Sequence, residues 1–134
     1  MRTRSSIAYL DSSALVKLAV EEKESEALRL AMRDWPRRGS SRLAVVEVLR
    51  GVRRRSPRSE PLARRVLAHT VLFAPSNRLL AAASQLDPPA LHALDAIHLA
   101  SALQLGRELG AFVSYDEQQL EAAAALGLPA VSPR

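Results

Sequence analysis

The 134-residue chain has no cysteine, which excludes disulfide staples, thiolate zinc sites and thiol nucleophiles. Aromatic residues are scarce, at 4%. In their place, 23 alanines and 22 leucines supply about a third of the chain, pointing to helices packed closely through small side chains. Long uncharged stretches are also missing: none free of Asp, Glu, Lys and Arg exceeds 12 residues. That is short of the ~20 apolar residues a membrane-spanning helix needs. The apolar run behind the basic opening Met1–Arg4 stops at Asp11, too early for the core of a secretory leader. The cytoplasm is therefore the expected compartment. Lysine is almost absent as well. Lys17 and Lys23 are the only two, so 17 of the 19 cations are arginine.

What is present describes a soluble globular chain, 48% hydrophobic and 25% charged. Its length suits one domain spanning 1–134. The net charge of +5 and a pI near 10.7 suit an acidic or polyanionic partner. A merely soluble basic domain is the competing reading.

Short apolar segments alternate with amphipathic ones. Ser6–Asp11 reads as a buried strand, followed by a helix capped by Ser12 or Ser13 and running to Val20. Further helices are expected over 22–33, 43–54, from Pro61 to Ala68, from Ser76 to Leu86, over 92–109 (ended by Gly110) and from Asp116 to Leu126. Extended segments are expected at 40–41, 70–74, 111–115 and 130–132, and Trp35–Gly39 and 87–89 break the pattern. Such alternation predicts an α/β fold: a short, mainly parallel central sheet covered by helices on both faces.

Four acids stand out by their surroundings. Asp11 and Asp116 each follow an apolar strand and precede a helix, at the carboxyl end of strands where α/β sheets build ligand sites. Helix capping is the alternative for both. Asp95 lies in the apolar run Ala93–Ala100 and shares its face with Leu99 and Ala102. A carboxylate there is expected to be protonated, paired or metal-bound. Glu47 falls off the Val45–Leu49–Val52 stripe of its helix, where an i,i+3 ion pair with Arg50 is the simpler role.

Gathered together, these carboxylates would repel one another, and a hard divalent cation such as Mg²⁺ or Mn²⁺ relieves that repulsion. Such an ion polarises a phosphodiester and activates water. The arginines between Arg50 and Arg65, among them Arg53, Arg54 and Arg55, can then hold a nucleic-acid backbone, or else form a solvated helix surface. Because Arg53–Arg55 are consecutive, they fan around a helix and cannot all face one groove.

Four segments also resemble the motifs of PIN-domain ribonucleases, particularly VapC-type toxins of bacterial toxin–antitoxin pairs. They are Tyr9–Leu18 with Asp11, Ser41–Arg50 with Glu47, Leu94–Ala102 with Asp95, and Val113–Leu120 with Asp116. The resemblance spans nearly the whole chain, with the motifs in order. It implies a three-layer α/β/α PIN-like fold and a metal-dependent endoribonuclease. Asp11 and Asp95 would be direct Mg²⁺ or Mn²⁺ ligands, Glu47 and Asp116 would complete the cluster, and Ser13 would add a hydroxyl. It also implies a homodimer and a cognate antitoxin. Arg53–Arg55 and the Trp35 loop are not among the family's features.

Other readings fit less well. A haloacid-dehalogenase-like phosphatase needs a second acid where Ser13 stands, and a receiver domain needs a lysine at a late strand end. No serine has a nucleophile-elbow setting. A catalytically silent RNA- or partner-binding module remains the alternative, and an intact acidic quartet disfavours it.

Overall fold

The computed structural model describes residues 6–134; the basic opening at Met1–Arg4 lies outside them. Five strands form one sheet: β1 (Ile7–Leu10), β2 (Arg38–Ser41), β3 (Val71–Phe73), β4 (Leu109–Val113) and β5 (Ala130–Val131). Their order is β3-β2-β1-β4-β5 and every pairing is parallel. Seven α-helices connect them: α1 (Ser12–Ala19), α2 (Ser25–Met32), α3 (Ala44–Arg55), α4 (Glu60–Ala68), α5 (Asn77–Ala83), α6 (Ala93–Gln104) and α7 (Glu117–Ala125).

Alternation along the central strands sends side chains into two cores. Ala8, Leu10, Ala111 and Val113 pack with Leu15, Leu28, Val48, Val52 and Leu67 from α1–α4. Tyr9 and Phe112 point the other way and pack with Leu99 and Ala102 of α6 and Ala122 and Ala123 of α7. Leu79 and Ala83 of α5 meet Ala96 and Ala100 of α6. Alanine lines most of these contacts, so the helices pack through small side chains as the composition suggests.

Several boundaries differ from the pattern-based expectation. The α2 helix starts at Ser25 rather than Glu22. The Ser25 hydroxyl is drawn inward, donating to Lys17 O at 2.8 Å and accepting from Glu22 N at 2.8 Å, which makes 22–25 a turn. The α6 helix stops at Gln104, with Gly106 at φ 54° just beyond it, so Gly106 and not Gly110 provides the left-handed exit. Gly110 lies inside β4, where a Cβ would come within 2.3 Å of the Trp35 ring. The buried indole of Trp35 thus needs that glycine, and the Trp35 loop is a packing device between α2 and the sheet.

The topology places the site. From β1 the chain winds outward to β2 on one side, while β4 pairs on the other, so the order reverses between β1 and β4. A crevice at the carboxyl edge of such a switch point is where open α/β sheets bind ligands. Leu10 is in register with Val113, so Asp11 and Ser114 leave the sheet side by side at that edge.

Candidate active site

Asp11 sits just beyond β1, 4% exposed. Its Oδ1 accepts from Ser13 Oγ at 2.6 Å and from Ala14 N at 3.1 Å, and its Oδ2 accepts from Ser114 Oγ at 2.6 Å. It therefore caps α1 and is also oriented by two hydroxyls, so the capping and site roles coexist. Burial pushes its carboxyl above the ordinary Asp value, against the His98 charge and these hydrogen bonds, which pull it down. Ser13 does more than offer a hydroxyl: its Oγ also accepts from Tyr115 N at 2.9 Å, tying the start of α1 to the chain after β4. Asp116 caps α7 through Gln119 N at 3.1 Å, and its own amide donates to Ser114 Oγ at 3.1 Å.

Asp95 occupies the first turn of α6, half-buried rather than enclosed. Among the described residues, no donor and no cation reaches its carboxylate. Burial, then the charges of Asp116 and Asp11, push its carboxyl up; the charge of His98 opposes them and that of Glu47 adds to them. Asp95 thus feels the other three acids through space.

Glu47 departs most from the spacing argument. The buried stripe of α3 is Ala44–Val48–Gly51–Val52, shifted one position back from the expected Val45–Leu49–Val52, with Val45 and Leu49 only partly covered. That rotation brings Glu47 to the edge of the core, and it forms no pair with Arg50. Its Oε1 accepts from Ser12 Oγ at 2.6 Å and from His98 Nε2 at 2.8 Å. Burial raises this carboxyl, but the bond and charge of His98, with Ser12, outweigh burial and leave it below the ordinary Glu value.

His98, Ser114 and Tyr9 were not singled out by sequence reasoning, and Ser12 and Ser13, expected to cap α1, leave that role to Asp11 and bond Glu47 and Asp11 instead. His98 is 1% exposed, and its Nδ1 meets the Tyr9 hydroxyl at 2.8 Å. A histidine three residues after Asp95 on the same helix was the available signal, disguised by its apolar neighbours.

Beside the acids opens a groove of about 530 Å³ between α1 and α3. Ser12, Ser13 and Glu47 line one end, and Arg50, Arg54 and Arg55 line the other. Arg53 is not part of this lining; it borders a shallower hollow with Arg50 and Arg54. Arg55 pairs with Glu22 at 2.9 Å. The apolar side chains Val46 and Leu94, 59% and 43% exposed, flank the mouth.

The donor set fits a hard divalent cation: every acidic group offers oxygen, and the Asp95 carboxylate, beside three other acids, has no hydrogen-bond donor or ion-pair partner among the described residues. Among the described residues, no three His, Asp or Glu side chains stand close enough to share one ion. Mg²⁺ is commonly held by one or two carboxylates and completed by waters, so a smaller protein donor set suffices.

Comparison with known proteins agrees with this geometry. The PIN domain family matches residues 8–125. Ribonuclease VapC46 of Mycobacterium tuberculosis is 46% identical over 125 residues, covering 93% of this chain and 96% of that protein. Ribonuclease VapC35 of the same species is 43% identical over 129 residues, with the same coverage. Among solved structures, a toxin–antitoxin complex from Klebsiella pneumoniae superposes with a TM-score of 0.72 at 23% identity, covering 95% of this chain and 98% of that one. Mycobacterium tuberculosis VapC20, described as a sarcin–ricin loop cleaving toxin, gives 0.71 at 17% identity, over 90% and 95%. The fold, the order of the four acidic motifs and the full-length similarity converge: the chain belongs to the PIN-domain family, in its VapC branch.

Proposed function

We propose that this chain is a divalent-metal-dependent endoribonuclease acting as the toxin of a toxin–antitoxin pair. The observation that carries the reading is Asp95: a half-buried carboxylate without a donor at the sheet's switch point, raised by its burial and by the charges of Asp116, Asp11 and Glu47 against the pull of His98. Such a group calls for a cation, and the arginine-lined groove beside it calls for a polyanion.

In this reading Asp11 and Asp95 hold Mg²⁺ or Mn²⁺, and Glu47 and Asp116 complete the charge directly or through water. When bound there, the ion would supply Lewis-acid polarisation of the phosphodiester and activation of an attacking water. The protein supplies the rest. Ser13 and Ser114 fix the rotamer of Asp11, and arginines of α3 hold backbone phosphates so that one phosphodiester lies over the acids.

The chain works as a single PIN-like domain of a homodimer in the cytoplasm. Among the described residues no helix is long and apolar enough to cross a membrane. The cognate antitoxin is expected to present an arginine to the acidic pocket, because desolvated carboxylates accept a bidentate guanidinium well.

Sequencing RNA ends after brief induction tests the reading. New, discrete 5′ ends should appear with the wild type and not with Asp95→Asn at matched protein level. Identical end profiles would overturn it. Growth arrest on induction, relieved by the neighbouring antitoxin, is the expected companion result.

A further inference from the structure

Glu47 is the acid with most freedom to leave the cluster. It projects from the edge of α3 on a side chain with three torsions, and Arg50 and Arg54 follow it by one and two helical turns on the same groove-lining face. Repulsion from the other acids and attraction to those arginines both draw it away, yet it pairs with neither arginine. Two groups from other elements hold it instead. Ser12 of α1 donates at 2.6 Å and His98 of α6 at 2.8 Å, both to Oε1. Among the described residues nothing donates to Oε2.

The hydrogen-bond network also assigns the proton on His98. An ionised carboxylate only accepts, so the ring nitrogen facing Glu47, Nε2, must carry hydrogen. Nδ1 faces the Tyr9 hydroxyl at 2.8 Å, and Tyr9 is fully buried between β1 and α6. Nε2–H donates to Glu47, with Ser12 Oγ at 3.1 Å from the same nitrogen, while Nδ1 is paired with the Tyr9 hydroxyl. The ring is gripped sterically too: Tyr9 meets it edge-on at 5.8 Å and stacks on Phe112 at 5.6 Å. A core aromatic pair is thereby connected, through one imidazole, to an acidic side chain at the groove.

We propose that His98 is a positioning residue for the cation site, holding Glu47 Oε1 away from the arginines of its own helix so that Oε2 is presented to the metal. The inference rests on the proposed metal-dependent function and adds to it a residue from the core. Outer groups of this kind orient ligands, and losing one typically costs about 10- to 100-fold in metal affinity.

The test is Mn²⁺ binding by the full chain, followed by calorimetry or by the electron-spin resonance of free Mn²⁺, with no RNA present. His98→Leu, which keeps bulk but donates nothing, should weaken Mn²⁺ by about tenfold or more. His98→Gln carries an N–H at about the reach of Nε2 and should recover most of that loss. In a Glu47→Gln background the His98→Leu change should alter affinity less than about twofold, because its effect passes through Glu47. Wild-type affinity in folded His98→Leu, or an undiminished loss in the Glu47→Gln background, overturns the proposal. If His98→Leu does not fold, Tyr9→Phe enters the same cycle. A loss of about threefold that vanishes with Glu47→Gln supports the proposal, and no loss or an additive one overturns it. Wild type that binds Mn²⁺ through this cycle but cleaves no RNA would overturn the ribonuclease reading and leave this one standing. Wild type that binds no Mn²⁺ overturns both.

Discussion

The two ends of the groove are built on opposite principles, although α3 contributes to both. At the acidic end three of the four carboxylates are anchored, Asp95 being the exception. Asp11 accepts three hydrogen bonds and Glu47 two, from residues distant in sequence or across a strand-to-helix corner. At the basic end, no described carboxylate pairs with Arg50, Arg53 or Arg54, and only Arg55 has a partner, Glu22. Anchoring suits chemistry, where displacing an oxygen ligand by an ångström is costly. Freedom suits backbone binding, where long cationic side chains must follow a polymer of variable shape. The comparison predicts that substitutions at the acidic end act on the chemical step, and those at the basic end act on affinity and its salt dependence.

The largest effect is expected at Asp95. Asp95→Asn keeps shape and removes charge, and should lower cleavage at saturating RNA by about 10³-fold, since metal electrostatics is worth several kcal/mol. Chelation of divalent ions should do the same to the wild type. Without metal, the variant should also melt higher than the wild type at neutral pH. A carboxyl whose folded pKa is raised costs stability above that pKa, and the cost disappears as pH falls from the folded value toward the ordinary Asp value. The difference in melting temperature should therefore close on mild acidification. A rate near wild type, or a metal-free Asp95→Asn that melts lower at neutral pH, would break the contrast at its acidic end.

Metal addition gives the complementary readout. At 100 times its dissociation constant a ligand stabilises by about 2.7 kcal/mol, on the order of 10 °C for a chain of this size. Mn²⁺ should raise the melting temperature of the wild type by that order and that of Asp95→Asn by much less. Equal shifts would place the ion elsewhere.

The legibility of the two ends differs for a physical reason. Asp11 and Asp116 were visible because a strand ending in an acid before a helix is a local pattern, and Asp95 because an acid within an apolar run is a local contradiction. The parallel sheet and its two helical layers followed from alternation alone. The anchors were not visible. His98 meets Glu47 across 51 positions and Tyr9 across 89, and no local period encodes such contacts. In its own helix His98 reads as one more core residue. Glu47 was assigned to an Arg50 pair because i,i+3 spacing is all a single helix shows, and the one-residue error in the buried stripe of α3 concealed its inward turn. The end of α6 was misplaced for a similar reason. The apolar pattern continues through Leu105 and Leu109, and only backbone geometry distinguishes the left-handed Gly106 from Gly110, a glycine needed for the bulk of Trp35.

At the basic end the middle-sized effect belongs to Arg50 and Arg54, which line the groove without a carboxylate partner. Replacing both with Gln should weaken RNA binding about tenfold or more at low salt. It should also flatten the dependence of log affinity on log salt by about 0.7 for each lost contact with a single strand. The saturated rate should stay within about twofold, because positioning rather than chemistry is lost. A collapse of that rate with binding intact would mean that one of these guanidiniums stabilises the transition state, and the division between the two ends would fail.

The smallest effects should come from the neighbours of those arginines, and they sharpen the comparison most. Consecutive residues on a helix point about 100° apart, so Arg53, Arg54 and Arg55 cannot share one direction. Arg53 lies outside the groove lining. Arg55 lines it, but its charge is already engaged by Glu22, and an exposed pair of this kind is worth about 0.2–1 kcal/mol. Binding RNA through Arg55 would require giving up that pair, which offsets most of the gain. Removing Arg55 would leave Glu22 with Lys17, which approaches at 3.2 Å, so the fold should tolerate the loss. Arg53→Gln and Arg55→Gln should each change RNA affinity by less than about twofold, against a clear loss for Arg54→Gln alone, with the salt slope moved by Arg54→Gln only. Measuring the three single variants at two salt concentrations decides the matter. If Arg53→Gln proves as damaging as Arg54→Gln, the strand follows the shallower hollow beside α3 and not the groove. If Arg55→Gln does, the Glu22 pair opens when RNA binds, and the basic end is rearranged by its ligand while the acidic end is not.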